Sequence, residues 1–345
     1  MGLWNAWYIQ FTASQSMSIS ATLTTIRTAG AGAVSAQSPS PEASAAPAES
    51  AAPIPTLSDA CSFDQLQTKT AGRLLIGADN PAYPPWFGGE PAEGSDWQIS
   101  DPYSGQGFES GIAYAVAETL GFSPDLVDWK HVPFVKSFAP GEKPFDLYLT
   151  QVSIRPKRAK AVDFSTPYYE FNQVVLALTG SPITGAKSVA DLAAYRLGAQ
   201  TSTTSLDTIL EIVQPAQEPR VYPDNDKALR ALQNGQIDGL VVDLPTAFYM
   251  RDAQLEDWGT PDPEGTIVGQ FPLRGTPEAL GIVLQKDSPL TACVDEALEI
   301  VKADGRWQAI YDATIGAAAT TPIPFFEGTD LLMATNPEAS PSTAP

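Results

Sequence analysis

Residues 151–169 read QVSIRPKRAKAVDFSTPYY and follow directly on the apolar run Phe145-Asp-Leu-Tyr-Leu149. That run predicts a buried strand, so the stretch begins where a strand ends. It carries a hydroxyl at Ser153 and a guanidinium at Arg158, five residues apart. A planar cation beside a small hydroxyl can hold a carboxylate through two parallel charge-assisted hydrogen bonds. The same residues could equally form a surface loop with a solvated arginine, so the chemistry needs support from the rest of the chain.

Working outward, apolar runs and breakers alternate. Strands are predicted at residues 73–78, 145–149, 173–178, 195–200, 237–242 and 280–285. Helices are predicted around Ile112, Ala115, Val116 and Leu120, at 187–192, 205–213 and 226–234, and around Val294, Ala297, Leu298 and Val301. Gly121, Gly235 and Gly305 stand where helices end. Strands alternating with helices predict an α/β fold with largely parallel sheets. The flanks differ: 37–60 is Pro, Ala and Ser with little else, a spacer that cannot bury enough apolar surface to fold, and a disordered tail is expected from 321 to 345. Residues 1–36 contain Val34-Ser35-Ala36, suited to signal cleavage, but Arg27 interrupts a weakly apolar stretch. They are read as a weak export signal or a misplaced start, with Met17 an alternative start.

The chain has 345 residues, enough for two domains, with a net charge of −20 and a pI near 4.3. Such an acidic chain is no non-specific nucleic-acid binder. Its two cysteines and single histidine, His131, lack zinc-site spacing, and no phosphate-cradling GxxxxGK loop is present. No metal, cofactor or catalytic triad is expected, and no run of eighteen apolar residues spans a membrane.

The opening stretch resembles the signature of the extracellular solute-binding proteins of polar amino-acid ABC importers: a polar-Ser-Ile-Thr-Pro-Glu-Arg segment, then Val-Asp-Phe-Ser-x-Pro-Tyr-Tyr. The resemblance extends from about Leu66 to Gly316 in ordered blocks. Gly77-Ala-Asp-Asn-Pro-Ala-Tyr-Pro-Pro-Trp86 is similar to the family's first cleft-lining block. Gly107-Phe-Glu-Ser-Gly-Ile-Ala113 resembles a structural segment, and Gln200-Thr-Ser-Thr-Thr204 a Gly-Thr-Thr turn at a helix N-terminus. Gln236-Ile-Asp-Gly-Leu-Val-Val-Asp243 resembles a strand ending in a ligand-binding Asp, and Lys302-Ala-Asp-Gly305 the closing helix.

The resemblance implies a two-lobed Venus flytrap of the type II periplasmic-binding-protein fold, each lobe a central, mostly parallel sheet flanked by helices. Residues 62–175 with 270–318 would form one lobe and 176–269 the other, with hinges near 173–178 and 266–272. It further implies an amino-acid ligand, here of the glutamine, arginine or lysine type, passed to the membrane permease of an ABC importer by a monomeric, non-enzymatic protein in the cell envelope or outside it.

Arg158 would clamp the ligand carboxylate, helped by Ser153, Thr204 and the backbone amides of Thr203 and Thr204; Asp243 would accept from the ammonium, cap the helix that follows, or do both. Tyr83 and Trp86 would sandwich the ligand or pack in the core. Asp79 would face its side chain or form a turn, and His131 is read as structural or surface. Gln151 and Ser202 depart from the family pattern, and Gln151 is expected to project into the cleft. Residues 88–105, with Trp97 and Tyr103, read as an insertion. Two alternatives stay open: an enzyme on the same fold (a dehydratase or a lyase), for which Glu109 and Glu170 are the only nearby candidate acids beyond those assigned to the ligand's charges, or a receptor's sensor module. An exported chain meets an oxidising compartment, so Cys61 and Cys293 are expected to pair.

Overall fold

The computed structural model describes residues 53–255, 265–271, 278–318 and 322–327. The expected export signal, the spacer as far as residue 52 and residues 328–345 of the tail lie outside the described residues. Twelve strands are named in chain order: β1 (Leu74–Ala78), β2 (Val127–His131), β3 (Leu147–Tyr148), β4 (Val162–Phe164), β5 (Tyr169–Phe171), β6 (Gln173–Leu178), β7 (Leu197–Gln200), β8 (Arg220–Tyr222), β9 (Gly239–Asp243), β10 (Gly265–Phe271), β11 (Glu278–Leu280) and β12 (Val283–Gln285). They build two five-stranded sheets, ordered β2-β1-β3-β12-β4 and β10-β6-β9-β7-β8, and a small β5–β11 ribbon. We call the units around the two large sheets the first and second lobes.

Each large sheet is more mixed than expected. Two of its four neighbouring pairs are parallel and two antiparallel. The antiparallel pairs all involve β6, β10 or β12, strands the chain enters near its passages between sheets. The run Gln-Val-Val-Leu-Ala-Leu of β6 is apolar on both faces because both are covered, by separate buried clusters on the two sides of the second sheet. The predicted strand 280–285 is in fact two, β11 and β12, separated at Gly281 where a Cβ would meet Ile154 at 2.8 Å.

The main core of the first lobe gathers around helix Phe108–Thr119 and the late helices Thr291–Ala303 and Arg306–Ala313. Helix Phe108–Thr119 starts after Gly107, whose φ is +89° and where a Cβ would lie 2.5 Å from the Phe87 backbone, so only glycine fits. The inserted residues 88–105 fold back on this lobe. Trp97 is buried in its core, and Tyr103 accepts from the Trp129 N–H at 3.0 Å. The Asn80 side chain binds the backbone of Asp96 and Gln98, bracing the loop that carries Asp79 and Tyr83.

Cys61 and Cys293 form the expected disulfide, with Cα atoms 5.2 Å apart. The end of the spacer is docked rather than free: the Ser58 amide and hydroxyl both donate to Glu296, beside the bridge. The tail also differs from expectation. Residues 322–327 run along the second lobe, pairing Phe325 with Gln270 and Glu327 with Ser188. The reason is apolar burial that composition alone hides: Phe326 is 3% exposed and packs on Phe271. Among the described residues no helix is long and apolar enough to cross a membrane.

Candidate functional site

A cavity of about 580 Å³ lies between the lobes and is lined by all nine residues singled out in the sequence: Asp79, Tyr83, Trp86, Gln151, Ser153, Arg158, Thr203, Thr204 and Asp243. The structure brings them together, but gives several of them partners that the sequence did not disclose.

Arg158 sits in the short helix Pro156–Ala159. Its guanidinium donates to the carbonyls of Ser153 at 2.9 Å and Ser202 at 2.8 Å, and lies over the Phe138 ring at 4.3 Å. These contacts join the lobes and leave part of its five-donor fork unspent. Burial, then the nearby Arg155, lower its pKa to about 10, so the group stays cationic at neutral pH. Among the described residues no carboxylate forms an ion pair with it. Ser202 has φ +62°, the left-handed geometry that glycine supplies in the family's turn, and this aims its carbonyl at Arg158.

Behind Arg158 runs a buried polar chain. Ser205 donates to the Gln173 side-chain oxygen at 2.8 Å, and the Gln173 amide donates to Thr204 and Glu278, each at 3.1 Å. The Ser153 hydroxyl donates to Glu278 at 2.9 Å and lies 3.3 Å from that of Thr204. Ser153 was expected to donate to a ligand. In the structure its proton goes to Glu278, a buried acid that also accepts from Gln173, since buried polar groups gather the donors around them. Thr203 is spent locally: its side chain caps helix Thr204–Asp207 by accepting from the Leu206 N–H.

On the far side Asp243 ends β9 and caps helix Leu244–Tyr249, accepting from the Thr246 amide at 2.9 Å. Burial pushes its carboxyl up to about 6, against the lowering effect of Thr246. Trp86 is 1% exposed, so its role is packing, and its indole N–H crosses to the Thr246 hydroxyl at 2.9 Å. The Tyr83 hydroxyl donates across the cleft to Asp226, with Tyr249 alongside.

Gln151 does reach the cleft, held in an unusual way. Its φ of +44° is strained for a non-glycine residue. Both its amide and its side-chain nitrogen donate to Glu109, a fully buried carboxyl that also accepts from Tyr168. Burial raises Glu109 to about 7 despite these donors. Asp79 accepts from the amides of Asn80 at 2.9 Å and Phe134 at 3.1 Å, so the turn reading holds while its edge still lines the cavity. His131 is no isolated surface residue. It lines the cavity with Nε2 3.4 Å from Asp79 Oδ1.

Sequence reasoning missed Glu278, Gln173, Asp226 and the aromatic floor of Phe134 and Phe138. Glu278 lies 125 residues from Ser153 and Asp226 143 from Tyr83, so no local spacing signalled either. The only hint was an acid in the first turn of helix Asn225–Gln233, which reads as ordinary helix chemistry.

Known proteins agree with this architecture. The chain is 28% identical over 255 residues to the L-cystine-binding protein TcyJ of Escherichia coli (strain K12), covering 74% of this chain and 86% of that protein. It is 29% identical over 226 residues to the ABC transporter glutamine-binding protein GlnH of Bacillus subtilis (strain 168), covering 62% of this chain and 74% of that one. The solved structure of an ancestral arginine-binding protein bound to glutamine superposes with a TM-score of 0.56 at 26% identity, over 72% of this chain and 99% of that one. The two-sheet arrangement is that of the type II periplasmic binding proteins. The sequence pattern of the bacterial extracellular solute-binding proteins, family 3, matches residues 96–317, more than half of the chain, and the protein belongs to that family.

Proposed function

We propose that this protein captures an amino-acid zwitterion with an amide-bearing or cationic side chain between its lobes and delivers it, outside the cytoplasmic membrane, to the permease of an ABC importer. The observation that carries the reading is Arg158: a largely buried guanidinium that lines the cavity with spare donors and, among the described residues, no carboxylate within ion-pair distance, Glu278 and Asp207 acting on it only from farther off. A buried cation in that state is satisfied by an incoming carboxylate. Asp243, also at the cavity, supplies the anion that an ammonium needs, and its raised pKa is what a carboxyl waiting for a cation shows.

The side-chain preference rests on Asp79 and Asp226 at the cavity wall, which favour ligand N–H donors and disfavour a second carboxylate; the third acid there, Asp224, is paired with Lys227. Proteins similar to this one are named for binding cystine and glutamine, and the ancestral arginine-binding structure holds glutamine. Binding without turnover fits the acids: Glu109 is sealed behind Gln151 and Tyr168, and Glu170 is exposed on β5. Neither offers the cleft a free proton donor.

A thermal-shift screen over the twenty amino acids and small cationic metabolites tests the reading, since a ligand bound only by the folded state raises the melting temperature. Glutamine, arginine or lysine should give the largest shifts. No shift from any amino acid would overturn the function, and tighter binding of glutamate or aspartate than of all three would overturn the selectivity.

A further inference from the structure

The family match stops at residue 317, yet the chain goes on to make ordered contacts. Ile315, at the end of the matched region, is 2% exposed in the core of the first lobe. By residue 322 the chain lies on the second lobe, along β10, an edge strand of its sheet. Ile315 and residue 322 thus lie on different lobes, as do β5 and β6, and β10 and β11.

All three passages meet at Gln270, the penultimate residue of β10, which is 8% exposed. Its amide donates to the Pro324 carbonyl at 2.9 Å, and its carbonyl accepts from the Phe326 amide at 3.0 Å. Its side-chain nitrogen donates to the Ile323 carbonyl at 2.7 Å. Its side-chain oxygen accepts at 2.9 Å from Asn172, the residue between β5 and β6. Every polar group of Gln270 thus ties one passage to another.

The segment is anchored at its far end too, where Glu327 donates to the Lys187 carbonyl at 2.9 Å and accepts from the Val189 amide at 3.1 Å. Its apolar residues straddle the sheet edge, Ile323 against one buried cluster and Phe326 in the other. Gly269 makes room for this, since a Cβ there would meet the Phe326 ring at 2.8 Å.

We propose that residues 322–327 form a third hinge strand which, through Gln270 as a positioning residue, restrains lobe opening and slows ligand release. Hinge closure in two-lobed proteins concentrates its dihedral changes in the few residues between lobes. Here Gln270, which also holds Asn172, is hydrogen-bonded to a strap that follows four residues after the first lobe's helix Ile315–Ala318, so a wide opening must bend the strap or strip it from β10. The strap's hydrogen bonds go to Gln270, Lys187 and Val189, which do not line the cavity. It acts on the open–closed population, and apparent affinity scales with the competent fraction. The release-rate part of this inference rests on the amino-acid-binding reading, whereas the lobe motion does not.

The test uses two variants of the full protein: a chain stopped after Ala318, and Phe326→Asp, which expels the strap while keeping its length. Small-angle scattering and a fluorophore pair, one on each lobe, report the opening without ligand. Stopped-flow kinetics with the amino acid that gives the largest thermal shift report release. Both variants should widen the inter-lobe distribution and speed release by about fivefold or more, with little change in association rate. Unchanged distributions and release rates in variants whose strap is detached, as shown by limited proteolysis near residue 322, would overturn the proposal. Should the shortened chain fail to fold, Phe326→Asp decides alone. Should no amino acid bind the wild type, the proposed function falls and the inter-lobe distribution still decides the strap.

Discussion

Replacing Arg158 with alanine separates folding from binding. Among the described residues the side chain donates to two carbonyls, those of Ser153 and Ser202, and rests on Phe138. Losing two bonds donated by a charged group costs up to about 3–6 kcal/mol of stability, less where water replaces the guanidinium. In binding, the same truncation leaves a ligand carboxylate desolvated opposite no cation. Truncating one member of a buried charge pair typically costs about 2–5 kcal/mol, or roughly thirtyfold to several thousandfold in affinity. Arg158→Lys should recover only part of this, because an ammonium keeps the charge and loses the planar fork. Titration calorimetry with the amino acid found by the thermal screen measures the loss, and circular dichroism with a melting curve verifies the fold. An Arg158→Ala protein that is folded and binds with wild-type affinity would refute the clamp and the reasoning behind it.

Three further outcomes follow from the site and the bridge. Asp243 and Glu109 are raised on folding from ordinary values of 3.8 and 4.5 to about 6 and about 7. The native state then holds more protons than the unfolded one in that interval, so the ligand-free melting temperature should fall as pH rises from about 4 to about 7. Because an ammonium favours ionised Asp243, affinity should instead rise as pH climbs through about 6, with protons released on binding; calorimetry in buffers of different ionisation enthalpy checks both, and a flat profile would count against Asp243 as the ammonium partner. Asp226→Ala or Tyr83→Phe removes a bond that exists only while the lobes touch, so each should speed release by about tenfold and the pair together little more, a double-mutant cycle in stopped-flow being the check. Cys61→Ser with Cys293→Ser opens a crosslink spanning 232 residues of sequence and should lower stability to denaturant by about 2–5 kcal/mol while leaving affinity nearly unchanged.

Much of this was legible in local patterns. The α/β alternation follows from hydrophobic period and breakers, and the apolar run from Val174 to Leu178 announced the strand β6. Asp243 before Leu244-Pro245 announced a helix cap. The disulfide was legible from two cysteines in an exported chain. Each of these depends on neighbours in sequence or on a count of residue types. The strap was not legible, since Ile323 and Phe326 sit among prolines and threonines, and the edge at β10 gives them something to bury against.

Chemistry-bearing residue types, the alternation of elements and some helix caps were legible in the sequence alone, because hydrophobic period and capping act over a few residues. Which donor meets which acceptor was decided only in three dimensions. The Ser153 proton goes to Glu278, Tyr83 reaches Asp226, and Gln151 bends into a left-handed turn over Glu109. The physical reason is that buried polar groups must be satisfied by whatever lies closest in space. In a fold whose chain passes repeatedly between two lobes, the closest partner often lies more than a hundred residues away.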